Sequence, residues 1–254
     1  MTLSYLAFHL IFTIPPILLL ATTLPRPLAG VGGRRGVWAL PLLCLIAFTY
    51  TTPWDNYLVA NEVWWYGENR VLATIGYVPV EEYAFFILQP ILTGLFLYHY
   101  LSRTSETNLR VEVLRWIGGG CWLAVSVLGW WMITSGIDAF LYMGLIIGWA
   151  GPILSFLWFY DGPQLWQYRR TMLVTVGIPT VYLWIADAIA IHNGIWTISP
   201  QLTVGIEPFG LPIEEATFFL VTNLMVVKGI LLFLDSAPAL FSNKAVSSQR
   251  RPMS

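Results

Sequence analysis

Two adjacent glutamates follow a proline at two places in the chain, in the segments YVPVEEYAFF and GLPIEEATFF. The doublets are Glu81-Glu82 and Glu214-Glu215, and each stands at the start of a long apolar run. Carboxyl groups held away from water can exchange protons with a substrate, because burial and like-charged neighbours keep a carboxyl protonated. Capping is the alternative, since proline favours the first helical turn and glutamates there complement the helix dipole. The doublets are therefore candidates for acid–base chemistry, for helix starts, or for both.

An aspartate precedes each doublet at nearly the same distance, 26 residues from Asp55 to Glu81 and 27 residues from Asp187 to Glu214. A duplicated set of acids is harder to explain by capping alone, because an ionisable group in a membrane segment costs about 2.5–3.5 kcal/mol at the bilayer centre. Neighbouring residues lie about 100° apart around a helix, so at most one glutamate of each doublet is expected to face a site. The candidate catalytic residues are Glu81, Glu82, Glu214, Glu215, Asp55 and Asp187.

Aromatic side chains are concentrated around these acids. They are typical of an interfacial aromatic belt, but desolvated ring faces also stabilise cations, by about 2 kcal/mol or more. A proton donor, rings that stabilise a cation and apolar surroundings suit the acid-catalysed rearrangement of an apolar polyene. The candidate residues for substrate binding and cation stabilisation are Trp54, Trp64, Trp65, Phe85, Phe86, Trp196, Phe218 and Phe219.

The composition indicates a membrane protein, because 57% of the 254 residues are hydrophobic and only 11% are charged, against about 25% in soluble domains. A net charge of −1 offers no argument for a nucleic-acid partner, and scattered histidines and cysteines predict no metal site and no cofactor. The first apolar run lacks the features of a cleaved signal peptide and is interpreted as a retained span. Seven apolar segments predict membrane helices: 3–24, 37–53, 80–101, 114–133, 138–159, 171–191 and 213–234.

The basic residues predict the orientation of these helices, because 11 of the 13 lysines and arginines fall in alternate loops and the C-terminal tail. The positive-inside rule then places the N-terminus outside and the C-terminus in the cytoplasm of a multi-pass cell-membrane protein, with both doublets at outer helix ends. The residues concerned are Arg26, Arg34, Arg35, Arg103, Arg110, Arg115, Arg169, Arg170, Lys244, Arg250 and Arg251.

An internal repeat relates the two halves of the chain, with matching residues 132 to 136 positions apart. We expect an all-α fold of two parallel three-helix repeats, 1–112 and 137–240, joined by a linking helix at 113–136 and followed by a polar tail at 241–254. The linking helix gives both repeats the same orientation, so their acids meet on one side of the membrane. The matches are PPIL at 15–18 with GPIL at 151–154, Arg34-Arg35 with Arg169-Arg170, Asp55 with Asp187, Trp64 with Trp196, and Glu81-Glu82 with Glu214-Glu215.

The segments PWDNYLV and YVPVEEYAFF, and again ADAI and GLPIEEATFF, resemble the membrane-integral lycopene beta-cyclases of archaeal and fused or heterodimeric type. The resemblance covers residues 5 to 236. It implies non-redox cyclisation of the ψ-ends of lycopene to β-ionone rings, by way of γ-carotene to β-carotene, in carotenoid biosynthesis without a cofactor. The implied partners are lycopene, the lipid bilayer and other carotenoid-pathway enzymes.

The same resemblance implies that the four glutamates are the acid and base groups, with Asp55 and Asp187 as partners that share a proton or act as the base. The second repeat departs from the first, because Ala188 stands in the place of Asn56 and Thr197 in the place of Trp65. We therefore expect one composite site in which the two repeats take different roles.

Three alternatives share parts of this pattern. A carotenoid hydratase would form the same cation and differ in its fate, and a transporter would use membrane acids for proton coupling. A retinal-binding photoreceptor also has seven spans and a lysine in its last helix, as Lys228 is here. Lys228 lies past the middle of its span, and we interpret it as a residue that snorkels to the cytoplasmic side.

Overall fold

The structure is a computed structural model, and it describes residues 3–24, 34–104 and 113–235. Over these ranges it contains seven helices that are long and apolar enough to cross a membrane, which confirms the predicted all-α membrane fold. The helices are α1 (Tyr5–Thr23), α2 (Arg34–Ala60), α3 (Val80–Leu101), α4 (Val113–Thr134), α5 (Leu141–Gln167), α6 (Arg169–His192) and α7 (Ile213–Asp235). Four short strands lie in the connections: β1 (Trp64–Tyr66), β2 (Thr74–Ile75), β3 (Val78–Pro79) and β4 (Trp196–Ile198).

Part of the pattern that predicts the orientation lies outside the described residues. This applies to the predicted polar tail at 241–254 and to Arg26, Arg110, Lys244, Arg250 and Arg251, and the side chain of Arg34 is likewise not described.

Helix α2 extends beyond its predicted boundaries of 37–53, because it begins at Arg34 and continues through Pro53 to Ala60. Proline removes one backbone donor, but membrane helices tolerate it where neighbouring groups satisfy the freed carbonyl. The extension places Asp55 inside the helix, where its side chain is 2% exposed. Asp187 occupies the matching place in α6, which ends five residues later at His192.

The two connections that carry the aromatic residues meet in an antiparallel pair of strands, β1 and β4. The central pair is Trp65 with Thr197, which are equivalent positions in the two halves. On either side the pairing is reciprocal, because Trp64 faces Ile198 and Tyr66 faces Trp196. Reciprocal pairing is what a two-fold axis produces, so the strands support our proposal of two parallel repeats around an axis along the membrane normal.

Helices α3 and α7, which begin with the glutamate doublets, form the centre of the bundle. They pack against each other; α3 also packs against α1, α2 and α6, and α7 against α5, α6 and α2. Each central helix is therefore surrounded by helices of both proposed repeats. Helix α4 packs along α5, and the backbones approach closely at Gly129 and Gly148, as small residues allow between membrane helices.

A buried polar network joins the central helices. Asn223 of α7 is fully buried, and its side-chain oxygen accepts hydrogen bonds from Gln89 and from Thr93, the latter at 2.6 Å. Its amide nitrogen donates to the hydroxyl of Thr180 in α6 at 2.9 Å. A hydrogen bond inside a membrane bundle satisfies groups that lipid cannot, so Asn223 fixes the relative positions of α3, α6 and α7.

We expect Asn223→Ala to destabilise the bundle by about 1–3 kcal/mol, because it leaves Gln89 and Thr93 buried without an acceptor. The measurement is thermal unfolding of the purified protein in detergent. Thr217→Ala is the matched control, since among the described residues the Thr217 hydroxyl donates to its own helix, at the Ile213 carbonyl. Equal melting temperatures for the two variants would contradict a structural role for the network.

Candidate active site

One carboxyl group from each doublet reaches a small chamber of about 50 Å³ at the end of the bundle where α3 and α7 begin. Glu82 and Glu215 line it, and we call them the chamber glutamates. Asp55 and Asp187 line it as well. Both aspartates are 2% exposed, and Glu215 is 7% exposed. The rest of the lining is aromatic or aliphatic: Tyr5, Phe8, Trp64, Tyr66, Phe85, Tyr142, Leu183, Trp196, Ile198, Phe218 and Phe219.

The other member of each doublet holds a loop. Glu81 accepts a hydrogen bond from the backbone N–H of Leu72 at 2.8 Å, and Glu214 accepts one from that of Val204, also at 2.8 Å. We call Glu81 and Glu214 the loop glutamates. The structure thus separates the members of each doublet, and it does so in the same way in both halves, as the 100° between neighbouring helix positions requires.

Each chamber glutamate accepts a hydrogen bond from a tyrosine at the start of a helix. The Tyr5 hydroxyl donates to Glu82 Oε2 at 2.6 Å, and the Tyr142 hydroxyl donates to Glu215 Oε1 at 2.5 Å. Sequence reasoning missed both tyrosines. The signal was present, because they lie 137 positions apart, close to the offset of the PPIL and GPIL segments in the same two helices.

The two halves differ in the further partners of their acids. Tyr66 adds a second phenol donor to Glu82, at 3.1 Å, whereas Ile198 occupies the equivalent position. Burial and the neighbouring Glu82 raise the pKa of Tyr66 well above its ordinary value, so its phenol stays protonated and donates. In the second half, the indole N–H of Trp196 donates to Asp187 Oδ1 at 3.1 Å.

The chamber contains more carboxyl groups than the surrounding side chains can neutralise or satisfy with hydrogen bonds. No lysine or arginine of the described ranges lines it, and Oδ2 of both Asp55 and Asp187 has no hydrogen-bond partner within the described part of the chain. Four carboxyl groups in such a place cannot all be ionised, because like charges repel and burial penalises charge. Some of them must therefore be protonated.

An apolar groove of about 480 Å³ leads from the chamber along α7, between α2 and α5. Phe85 and Phe218 line both spaces, so these two rings form the boundary between them. The groove follows α7 from Phe218 to Phe233, which corresponds to about 22 Å of helix. Its shape and apolar lining suit a long hydrocarbon chain with one end at the acids.

The predicted aromatic residues are distributed between these spaces. Trp54 stacks on Phe218 with ring centroids 5.6 Å apart and 4° between the planes. Phe86 lines the groove, and Trp65 is 45% exposed and is not brought to the chamber. The five that line the chamber are Trp64, Phe85, Trp196, Phe218 and Phe219.

Lys228 does not snorkel, and that interpretation is wrong. Its side chain is 1% exposed, and the Nζ atom lies 4.0 Å from the ring centroid of Trp158 in α5. The residue faces a neighbouring helix, so its ammonium group does not reach the membrane surface. It does not line the chamber. Within the described residues, no three His, Cys, Asp or Glu side chains are grouped as ligands for a metal ion.

The chain is similar over most of its length to proteins that are named as lycopene cyclases. It is 40% identical to a lycopene beta-cyclase of Halobacterium salinarum over 239 residues, which cover 92% of this chain and 97% of that protein. It is 36% identical to the bifunctional lycopene cyclase/phytoene synthases of Leptosphaeria maculans and Arthroderma gypseum, covering 95% and 98% of this chain and 43% and 44% of those proteins. No family model and no solved structure matches the chain. From these similarities, the chain belongs to the lycopene beta-cyclase family.

Proposed function

We propose that this protein is a lycopene beta-cyclase, which converts the acyclic ψ-ends of lycopene into β-ionone rings without a net redox change. The observation that carries the proposal is the junction of the acid chamber with the apolar groove. The acids supply the proton chemistry and the groove binds the hydrocarbon chain. The relatives that are named lycopene beta-cyclase and that match nearly the whole chain support the same reaction.

The polyene lies along α7 in the groove, with one end group at the chamber. The groove lies between α2 and α5, so lycopene reaches it sideways from the lipid. The chamber, at about 50 Å³, is smaller than an end group of lycopene. The rings of Phe85 and Phe218 therefore move apart as the end group enters, and they then pack around the polyene chain at the boundary and exclude water.

The reaction begins when a neutral carboxyl group protonates C2 of the end group and leaves a cation at C1. The C5=C6 double bond attacks C1, which forms the C1–C6 bond and moves the cation to C5. A carboxylate then removes the proton from C6, and the new double bond joins C5 and C6. One proton enters and one leaves, so the product is an isomer of the substrate. The surrounding aromatic faces stabilise both cations.

The hydrogen bonds support different roles for the chamber acids. Phenol donors stabilise a charged carboxylate, and Glu82 accepts two of them, so Glu82 serves as the base. Asp55 is the most suitable acid, because its Oδ2 atom is buried without a partner among the described residues and a neutral carboxyl avoids that cost. Asp187 shares this feature, but the indole N–H of Trp196 donates to its other oxygen and favours the charged form. Glu215 and Asp187 form the equivalent pair of the second half, in which one carboxyl group is ionised and the other is protonated.

We expect Asp55→Asn and Glu82→Gln to fail in different ways, because one removes the acid and the other the base. Asp55→Asn leaves lycopene unchanged. Glu82→Gln still forms the cation, so the ring closes but the proton is lost from another carbon, or water adds. The measurement is pigment chromatography of a lycopene-accumulating host that expresses each variant. Unchanged lycopene with Glu82→Gln and misplaced double bonds with Asp55→Asn would reverse the two roles, and a hydroxylated product of the unaltered protein would favour a hydratase.

The loop glutamates provide matched controls within the same doublets. Glu81→Gln and Glu214→Gln keep a side-chain oxygen that can accept the N–H of Leu72 or Val204, so we expect them to retain at least about a third of the wild-type cyclase activity. Glu82→Gln and Glu215→Gln lower the formation of β-rings at least about a hundredfold, the usual contribution of a positioned acid or base. Loss of activity in all four variants at unchanged protein levels would show that the loop glutamates also act in the reaction.

The basic residues support a location in the cell membrane with the N-terminus outside, so the chamber lies near the outer surface. We infer that the enzyme acts beside the carotenoid-pathway enzymes that supply lycopene, because the names of the fungal relatives join a cyclase with a phytoene synthase.

The orientation predicts which loops react with a membrane-impermeant maleimide in intact cells. With Cys44 and Cys121 replaced by alanine, Glu68→Cys in the connection after β1 is labelled from outside, whereas Thr104→Cys after α3 is labelled only after lysis. Both positions are exposed, so a difference in labelling reports the side of the membrane. The opposite labelling pattern would invert the proposed topology.

A further inference from the structure

Helix α1 contains one residue more than α5 between equivalent points of the two halves. Tyr5 and Tyr142 lie 137 positions apart, whereas the PPIL and GPIL segments that follow them lie 136 positions apart. The structure accommodates the extra residue in a π-helical turn, His9–Thr13, in which the Ile14 N–H donates to the His9 carbonyl. Such turns are rare and frequently occur at functional sites, so the side chains of this turn are candidates for a further role.

His9, the first residue of this turn, lies behind the wall of the chamber. Its side chain is 2% exposed, and it is not among the residues that line the chamber. The Nε2 atom lies 2.8 Å from the Glu81 carbonyl, so this nitrogen carries the hydrogen, because a carbonyl oxygen only accepts. The Thr13 hydroxyl lies 3.0 Å from Nδ1 and donates to it in a neutral ring, the form that burial favours. Both ring nitrogens are occupied, which fixes the orientation of the ring.

Four rings stack in a row that passes through His9, from strand β1 to helix α3. The ring centroids of Tyr66 and Tyr5 are 6.2 Å apart, with 21° between the planes. Those of Tyr5 and His9 are 4.8 Å apart at 27°, and those of His9 and Phe85 are 6.1 Å apart at 22°. Tyr66 and Tyr5 donate to Glu82, and Phe85 lies at the boundary between chamber and groove. His9 therefore connects the hydrogen-bond donors of the base with a ring at the entrance of the chamber.

Within the described residues, the second half has no equivalent row of rings. Ile198 stands at the position of Tyr66, and Ile146 follows Tyr142 by four residues, as His9 follows Tyr5. Ile146 is fully buried and belongs to the hydrophobic core. The histidine and its π-helical turn are thus features of the half whose chamber glutamate accepts two phenol donors, and they are not requirements of the shared fold.

We propose that His9 is a positioning residue of the cyclase, which holds the Tyr5 phenol on Glu82 and thereby places the carboxylate that removes the proton from C6. The inference rests on the proposed function. Because His9 does not line the chamber, it acts through Tyr5 and not on the substrate. Its bond to the Glu81 carbonyl ties the ring to the first turn of α3, the turn that carries Glu82. The phenol and the carboxylate are therefore positioned from the same part of the helix.

The first test gives His9 the residue of the second half. We expect His9→Ile to lower the formation of β-rings at least about tenfold, since a misplacement of 1 Å can cost about a hundredfold in rate. We also expect a larger share of ring products with the double bond elsewhere, because the cation still forms. The measurement is pigment chromatography of a lycopene-accumulating host, normalised to the protein level.

Tyr98→Phe is the matched control. It also removes a buried hydrogen bond from a ring to a backbone carbonyl of another helix, that of Gly36 at 2.6 Å, but near the opposite end of α3. We expect it to leave the share of β-rings unchanged. A fall of all ring products in the same proportion in His9→Ile would show a purely structural role and overturn the proposal.

Two milder variants apply the same test if His9→Ile does not fold. His9→Gln keeps a planar group with an N–H for the Glu81 carbonyl, and we expect it to retain most of the β-ring formation. Thr13→Val removes the hydroxyl at Nδ1 of His9, and we expect a smaller shift of the products in the same direction as in His9→Ile. An unchanged share of β-rings in folded His9→Ile or Thr13→Val would refute the role of His9.

A double-mutant cycle tests whether His9 acts through Tyr5. Tyr5→Phe removes one phenol donor from Glu82, so in its presence we expect His9→Ile to change the share of β-rings by less than about twofold, the usual limit of additivity. Full, independent effects of the two substitutions would contradict the proposal. The absence of any ring product from the unaltered protein would instead overturn the proposed function, and this inference with it.

Discussion

The structure depends on one constraint, the enclosure of four carboxyl groups in one chamber at the end of a membrane helix bundle. Each must either find donors or hold a proton, because an isolated charge is too costly in such surroundings. The donors come from distant parts of the chain: Tyr5 and Tyr142 begin the outer helices, and Tyr66 lies in a strand. The positions of these elements follow from the need to bring phenols to Glu82 and Glu215.

Two equivalent halves bring their acids together by repeating one short pattern. They also make those acids chemically alike, whereas the reaction needs one group to act as the acid and another as the base. The chain resolves this by small departures from symmetry. Tyr66 gives Glu82 a second donor where Ile198 gives Glu215 none, and Trp196 donates to Asp187. These differences cost little volume and divide the proton affinities of chemically similar groups. The loop glutamates remain equivalent because holding a loop is the same task in both halves.

The sequence predicts the helices and the doublets well, because apolar length and local spacing carry that information. It predicts that neighbouring glutamates diverge, but not which one faces inward. A search for motifs does not find Tyr5 and Tyr142, because a single tyrosine at a helix start is common. Their contacts with glutamates are also distant in sequence, 77 residues from Tyr5 to Glu82 and 73 residues from Tyr142 to Glu215. The prediction for Lys228 was wrong for a related reason, because it also depended on a contact between distant parts of the chain. Its position along the helix gives its depth, whereas the packing of α5 against α7 decides that it is enclosed.

The apolar lining of the groove follows from the chemistry of the cation. A tertiary carbocation survives only where water is excluded, and every opening toward the chamber is also a path for water along polar groups. A substrate that arrives through lipid needs one opening lined by apolar side chains. A second opening would double access but loosen the packing that holds the acids in place. On the side of α6 and α1, Leu183 packs in a buried cluster with Phe85, Leu92 and Phe219, and His99 ties α3 to the Leu20 carbonyl of α1. These contacts help to keep the chamber rigid and dry.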